Sequence, residues 1–107
     1  MSYRVVITAN VKSNLRSYYV RAAENAPVTA LRWIDRFEEA LQGLSDNPRR
    51  CPLAPEDGLV HVEVRQLLFG RGSNVYRALF TISGDDIQVL HVRRAVRDTA
   101  TPEELLD

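Results

Sequence analysis

The chain has 107 residues with a formal net charge of zero, and 45% of its residues are hydrophobic and 26% are charged. This composition is typical of a globular protein, predicts a single domain over residues 1–107, and excludes a disordered or generally polyanion-binding chain. The lone Cys51 excludes an internal disulfide, and the absence of a secretory pattern or a membrane-length apolar run leads us to expect a cytoplasmic protein.

The first half of the chain predicts one strand and two helices. Tyr3–Thr8 is rich in β-branched residues and predicts a strand. Apolar residues then recur at three- and four-residue spacing, which is typical of two amphipathic helices joined near Pro27. The stripes are Val11, Leu15, Tyr18 or Tyr19 and Ala22, and then Ala30, Trp33, Ile34, Phe37, Leu41 and Leu44.

The second half predicts a Pro-rich connector, residues 49–58, followed by three strands over 61–69, 75–82 and 87–93. The last two strands flank the tight turn Ser83–Asp86, and Thr101 to Glu104 has the spacing of a capping box before a short terminal helix. The order β-α-α-β-β-β predicts an α+β fold with an N-terminal helical hairpin packed on a small antiparallel sheet.

Strand alternation places the arginines relative to this sheet. Tyr76, Ala78 and Phe80 form the larger apolar side of the middle strand, so we expect them to face the helices. Arg77 is then expected on the open face. In the last strand, strict alternation separates Leu90 and Val92 from Val89, His91 and Arg93, and it sends Arg93 and Arg94 to opposite sides.

Six arginines lie between residues 65 and 97, and the only acids in that stretch are Asp85 and Asp86 in the predicted turn. Converging guanidinium groups bind phosphate or acidic peptides and stabilise developing negative charge, but arginine is a poor general base. Alternatively, Arg77 pairs with an acid across the sheet, for example Glu63. The predicted binding residues are Arg65, Arg71, Tyr76, Arg77, Arg93, Arg94 and Arg97.

No phosphate loop, metal-ligand cluster or nucleophile–base pattern is present in the sequence, so we expect neither a cofactor nor a metal. His61 and His91 are far apart in the sequence and are interpreted as structural or surface residues.

The element order and several segments resemble the RelE/ParE superfamily of bacterial type II toxins. The segments are the Tyr76-Arg77 pair, "EVRQLLFG", "VLHVRRAVRD" and the Pro-rich stretch after the second helix. The resemblance runs from Tyr3 to about Asp98. It implies a toxin of the plasmid-stabilisation type, encoded beside an antitoxin that neutralises it in a hetero-oligomer. The antitoxin is expected to bring carboxylates to the arginines and apolar side chains to a groove beside the helices.

The resemblance also implies two possible targets. RelE-like members cleave mRNA on the ribosome, and in that branch Arg65, Arg77 and Arg93 match basic positions, which makes them candidate catalytic residues. ParE-like members act on DNA gyrase. The chain lacks the second-strand lysines, the tyrosine or histidine after the last strand and the strongly basic charge of the nuclease branch. We therefore favour a ParE-like gyrase inhibitor, with an mRNA endoribonuclease and an inactive toxin-fold binding protein as alternatives.

Overall fold

The computed structural model describes residues 2–72, 74–96 and 99–106. It confirms the α+β class and the predicted order of elements. The helices and strands are β1 (Arg4–Ile7), α1 (Ala9–Ala23), α2 (Pro27–Gln42), β2 (Arg65–Phe69), β3 (Tyr76–Ser83), β4 (Asp86–Arg94) and α3 (Pro102–Leu106). Two short 3₁₀ turns, Gly43–Ser45 and Pro48–Arg50, follow α2.

The sheet has the strand order β1-β4-β3-β2. Strands β2, β3 and β4 form the predicted antiparallel meander, but β1 pairs with β4 in parallel, so the sheet is mixed rather than antiparallel. The parallel pairing arises because the helical hairpin carries the chain from β1 to the opposite edge of the sheet. The two hairpins of the meander then bring β4 back beside β1.

The helical hairpin covers one face of the sheet and encloses the larger core. Phe37 is fully buried in that core, stacks on Phe69 at 4.5 Å between ring centroids and meets the edge of Trp33 at 5.6 Å. The prediction that Trp33 and Phe37 belong to the core is confirmed, although Trp33 is only partly buried. We call this side of the sheet the helix face.

The other side of the sheet, which we call the far face, is also covered. Leu79 packs there with Ala54 from the connector, with Val64 just before β2, and with Ala100 and Leu105 from the C-terminal segment. The expectation of an open face was therefore wrong, because a connector without apolar periodicity and a five-residue helix together bury it.

The connector also shortens the second predicted strand. The N–H of Gln66 donates to the carbonyl of Pro52 at 3.0 Å, and the N–H of Ala54 donates to the carbonyl of Val64 at 2.8 Å. Residues 52–54 therefore run along the outer edge of β2, and regular pairing of β2 with β3 begins at Arg65 rather than at residue 61.

A β-bulge interrupts β4. Leu79 pairs with His91 but Phe80 pairs with Val89, which leaves Leu90 as the additional residue. Val89 and Val92 consequently both lie in the helix-face core, so the strict alternation expected for this strand was wrong. Side chains at the start of α1 satisfy the freed backbone, because Asn10 donates to the Leu90 carbonyl and Asn14 accepts from the Val92 N–H, each at 2.9 Å.

The two predicted turn features are confirmed. Ser83 pairs with Asp86 around a two-residue loop in which Gly84 has φ of 60°, a conformation that favours glycine. At α3, the N–H of Glu104 donates to the Thr101 hydroxyl at 3.3 Å and the N–H of Thr101 donates to the Glu104 carboxylate at 2.9 Å, which completes a capping box. None of the helices within the described residues is long and apolar enough to cross a membrane.

Candidate functional site

Arg77 of β3 and Arg93 of β4 are direct cross-strand neighbours on the far face. Only 6% of Arg77 and 8% of Arg93 is exposed to solvent. Like charges placed opposite each other in a sheet repel, and an unpaired buried charge is costly. Each guanidinium group therefore requires an acidic partner on the segments that cover this face.

Glu56 of the connector is the partner of Arg77. Its two carboxylate oxygens accept hydrogen bonds from the two terminal nitrogens of Arg77 at 2.9 and 2.8 Å, a bidentate arrangement. Gln66 accepts a further hydrogen bond from Arg77 at 3.1 Å, and Glu56 accepts the N–H of Ala100 at 2.8 Å. Because Glu56 is completely buried, this network joins the sheet, the connector and the C-terminal segment in the interior.

The environment of Glu56 determines its protonation. Burial alone raises the pKa of the carboxyl group, because it disfavours the charged form. The hydrogen bonds from Arg77 and from the Ala100 N–H outweigh burial, so the net effect is a lowered pKa. Glu56 is therefore ionised at neutral pH, and the network is an ion pair.

Glu104 of α3 is the partner of Arg93, with the nitrogen and oxygen 3.0 Å apart. The same carboxylate oxygen accepts the N–H of Thr101 in the capping box. The backbone carbonyl of Glu104 accepts a hydrogen bond from Asn10 at 2.8 Å, which connects α3 to the start of α1. The short terminal helix is thus held against the sheet by charge and by backbone hydrogen bonding.

His91 is the histidine that the structure places on the far face. It is buried, and burial lowers its pKa, which keeps the imidazole ring neutral at pH 7. The side-chain nitrogen of Asn10 lies 3.3 Å from its Nδ1, and a Glu104 oxygen lies 3.8 Å from its Nε2. The imidazole of His91 is therefore enclosed by polar neighbours and is not exposed to solvent as a free base.

The other predicted site residues that the structure describes do not lie on the far face. Arg65 lies on the helix side of β2, where it donates to the Cys51 carbonyl at 2.7 Å and pairs with Glu63 at 2.9 Å. Tyr76 and Arg94 are cross-strand partners, and Tyr76 packs against the helix-face core. Arg71 is exposed in the loop after β2. Arg97 lies outside the described residues.

Of the six predicted residues that the structure describes, it brings Arg77 and Arg93 together on the far face and none of the other four. The assignment of Arg77 and Arg93 as contacts to a target stays a prediction, and their burial opposes it. The alternative that Arg77 pairs with an acid is borne out, although the acid is Glu56 rather than Glu63. Sequence reasoning missed Glu56 because it lies in a connector without a periodic pattern, whereas the capping box already signalled a structural role for Glu104.

A helical hairpin packed on a four-stranded sheet, with the Tyr-Arg pair opening β3, is the arrangement that the resemblance to the RelE/ParE superfamily of toxins implies. The family described as ParE toxin of type II toxin-antitoxin system, parDE, matches residues 5–99, so the chain belongs to the ParE toxin family. A solved structure titled "Chromosomal ParDE TA system from P. aeruginosa" shares the fold. Its TM-score is 0.70 at 21% identity, over 87% of this chain and 96% of that one. A comparison with curated proteins gave no match.

The described residues contain no group of three or more histidine, cysteine, aspartate or glutamate side chains arranged to hold a metal ion. On the far face, the structure shows two ion pairs, Glu56 with Arg77 and Glu104 with Arg93.

Replacing Glu56 by glutamine should lower the free energy of unfolding by about 3 kcal/mol, since it leaves the buried Arg77 without a compensating charge. Chemical denaturation monitored by circular dichroism measures this change. The matched control is Glu63→Gln, which removes one carboxylate charge from the half-exposed pair with Arg65 and should cost less than about 1 kcal/mol. Equal losses in the two variants would contradict a structural role for the Glu56–Arg77 pair.

The wild type and the Glu56→Gln variant should also differ in how their free energies of unfolding depend on pH. Because folding lowers the pKa of Glu56, its contribution is complete above the unfolded value of 4.5 and is lost as the pH falls through the folded value. The stability difference between the wild type and Glu56→Gln should therefore be constant from pH 7 to about 5 and should narrow below pH 4.5. A difference that persists unchanged at pH 3 would show that the charge of Glu56 is not what stabilises the fold.

Proposed function

We propose that this chain is a growth-inhibiting toxin that acts on DNA gyrase in the cytoplasm without catalysing a reaction, and that a cognate antitoxin neutralises it. Membership of the ParE toxin family supports the toxin part of the proposal. The observation that carries the non-catalytic part is the burial of Arg77 and Arg93 in ion pairs with the protein's own carboxylates.

The same observation opposes the endoribonuclease alternative. A nuclease of the RelE type would need its strand arginines free to approach the scissile phosphate. Here that approach would require Glu56 and Glu104 to leave. For the completely buried Glu56, separating it from Arg77 costs about 3–5 kcal/mol. The third candidate catalytic residue, Arg65, lies on the helix side of β2 and donates to the connector backbone instead.

The antitoxin part of the proposal is supported by a groove of about 810 Å³ between α1 and α2. Ile7, Leu15 and Ile34 line its floor, and Leu31 remains 52% exposed at its side. One rim is basic and the other is acidic. The rim residues are Lys12 and Arg16 on α1, and Asp35, Glu38 and Glu39 on α2.

We infer that an amphipathic helix of the antitoxin lies in this groove. Its apolar stripe would cover the floor, while carboxylates on one flank would pair with Lys12 and Arg16 and basic side chains on the other flank would pair with the acidic rim. The opposite charges of the two rims would fix the direction of the helix, because reversing it would place like charges together.

Induction of the chain alone in bacteria, with pulse labelling of DNA and protein synthesis, tests the target. We expect DNA synthesis to fall first while translation continues, and purified gyrase to lose supercoiling activity in the presence of the protein. Early loss of protein synthesis would instead identify an endoribonuclease. Unimpaired growth with soluble expression would identify an inactive toxin-fold protein.

Leu31→Glu should weaken binding to the antitoxin encoded by the neighbouring gene by at least about tenfold, roughly 1.4 kcal/mol, since it places a charge against the apolar stripe. Titration calorimetry measures the affinity. The matched control is Leu68→Glu, because Leu68 is 56% exposed and lies on β2 opposite Arg77, on the far face of the sheet. Equal weakening by both variants, or by neither, would refute the assignment of the groove to the antitoxin.

A further inference from the structure

A second concave surface lies on the other side of α2, between that helix and the loop that joins β2 to β3. It encloses about 610 Å³. Three arginines surround it, Arg32 and Arg36 from α2 and Arg71 from the loop, and we call it the arginine cleft. Trp33 and Phe69 contribute aromatic surface to its lining.

The three arginines are positioned by local structure. Arg32 and Arg36 are four residues apart on α2 and so project from the same side of the helix on successive turns. Arg71 follows Gly70, whose φ of 106° and close approach to the Asn74 carbonyl leave no room for a Cβ atom. The loop is thereby folded back sharply enough to turn Arg71 toward α2.

The guanidinium groups of the arginine cleft are available to a ligand. All three residues are exposed, and within the described part of the chain their guanidinium groups make no hydrogen bond or ion pair. Arg4, Arg65, Arg77 and Arg93, in contrast, each pair with a carboxylate. The arginines of the cleft therefore keep their full capacity to bind an anion.

The acidic and the basic side chains of α2 lie on different sides of the helix. The acids Asp35, Glu38 and Glu39 line the groove on the α1 side, whereas none of the described residues that line the arginine cleft is acidic. In a chain whose net charge is zero, this arrangement concentrates three positive charges in one concavity. Such a concavity attracts a polyanion even though the protein as a whole does not.

An aromatic surface continues the arginine cleft. Trp33 and Asn74 also line a smaller cleft of about 250 Å³ that extends to Tyr18 and Tyr76, whose rings meet edge to face at 4.9 Å. Burial raises the pKa of Tyr76, and the positive charges of Arg94 and Arg21 partly offset that effect. The basic arginine cleft therefore continues, through Trp33, into a surface lined by the aromatic rings of Tyr18 and Tyr76.

We propose that the arginine cleft and its aromatic continuation form a binding site for single-stranded nucleic acid. Guanidinium groups on successive helical turns suit the regularly spaced phosphates of a strand, and an aromatic ring between them offers a platform for an unpaired base. A concavity of this size fits a ligand of a few nucleotides. A peptide of acidic residues alone, such as polyglutamate, would satisfy the arginines but would make no use of the aromatic surface.

This inference does not depend on the toxin activity or on its target. Trp33 is the only tryptophan of the chain, so its emission reports on the site directly. The assay is titration of the protein with an oligothymidylate of about ten nucleotides, followed by fluorescence anisotropy of a label on the DNA and by quenching of Trp33. The test variant is Arg32→Gln with Arg36→Gln, and the control is Lys12→Gln with Arg16→Gln, which also removes two charges spaced one turn apart on a helix.

We expect saturable binding with quenching of Trp33, and a slope of about −2 in a plot of log affinity against log salt, as three phosphate contacts to a single strand require. The test variant should bind at least tenfold more weakly and with a slope of about −0.7, while the control should bind as the wild type does. Circular dichroism checks that both variants are folded.

Three outcomes would overturn the proposal. Equal losses in the test and control variants would mean that binding is unspecific attraction to surface charge. Equal affinity for a duplex of the same length, without quenching of Trp33, would exclude stacking on the aromatic surface. Binding of polyglutamate but not of the oligonucleotide, with loss in the test variant, would assign the cleft to an acidic peptide instead.

Discussion

The bidentate contact between Glu56 and Arg77 determines how the chain closes the far face of its sheet. A strand that carries an arginine inward can be covered only if the covering segment brings a carboxylate, and Glu56 does this from a connector with few apolar residues. The same carboxylate accepts the Ala100 N–H, so the C-terminal segment is fixed by the pair as well. In the same way, Glu104 of α3 supplies the carboxylate that pairs with Arg93.

Closure of the far face changes where the protein can meet its partners. The arginines that a nuclease of this superfamily would use are engaged internally. Arg32, Arg36 and Arg71, which surround the arginine cleft beside Trp33, make no hydrogen bond or ion pair within the described part of the chain. Helix α2 separates two concave surfaces of different character, an apolar groove with oppositely charged rims and a basic cleft with an aromatic lining. The proposed antitoxin helix and the proposed nucleic-acid ligand would therefore occupy different surfaces, on opposite sides of α2.

Much of this fold is readable from the sequence because its signals are local. The helical stripes, the Ser83–Asp86 turn and the capping box at Thr101 each depend on residues within one or two turns of each other. The face of Arg77 also followed from alternation, but its burial did not, because Glu56 is 21 residues away in a connector without periodicity. The bulge at Leu90 and the parallel pairing of β1 depend on tertiary contacts, so alternation within one strand could not reveal them.

The most direct test of the structural role of the Glu56–Arg77 pair is to replace both partners by apolar residues of similar size, Glu56→Leu with Arg77→Met, and to measure growth inhibition by the folded double variant. Removing both charges leaves neither one buried alone, so the fold should survive. The account predicts that the folded double variant still inhibits growth. A folded double variant that is harmless to the cell would contradict it, because Arg77 would then have to contact the target.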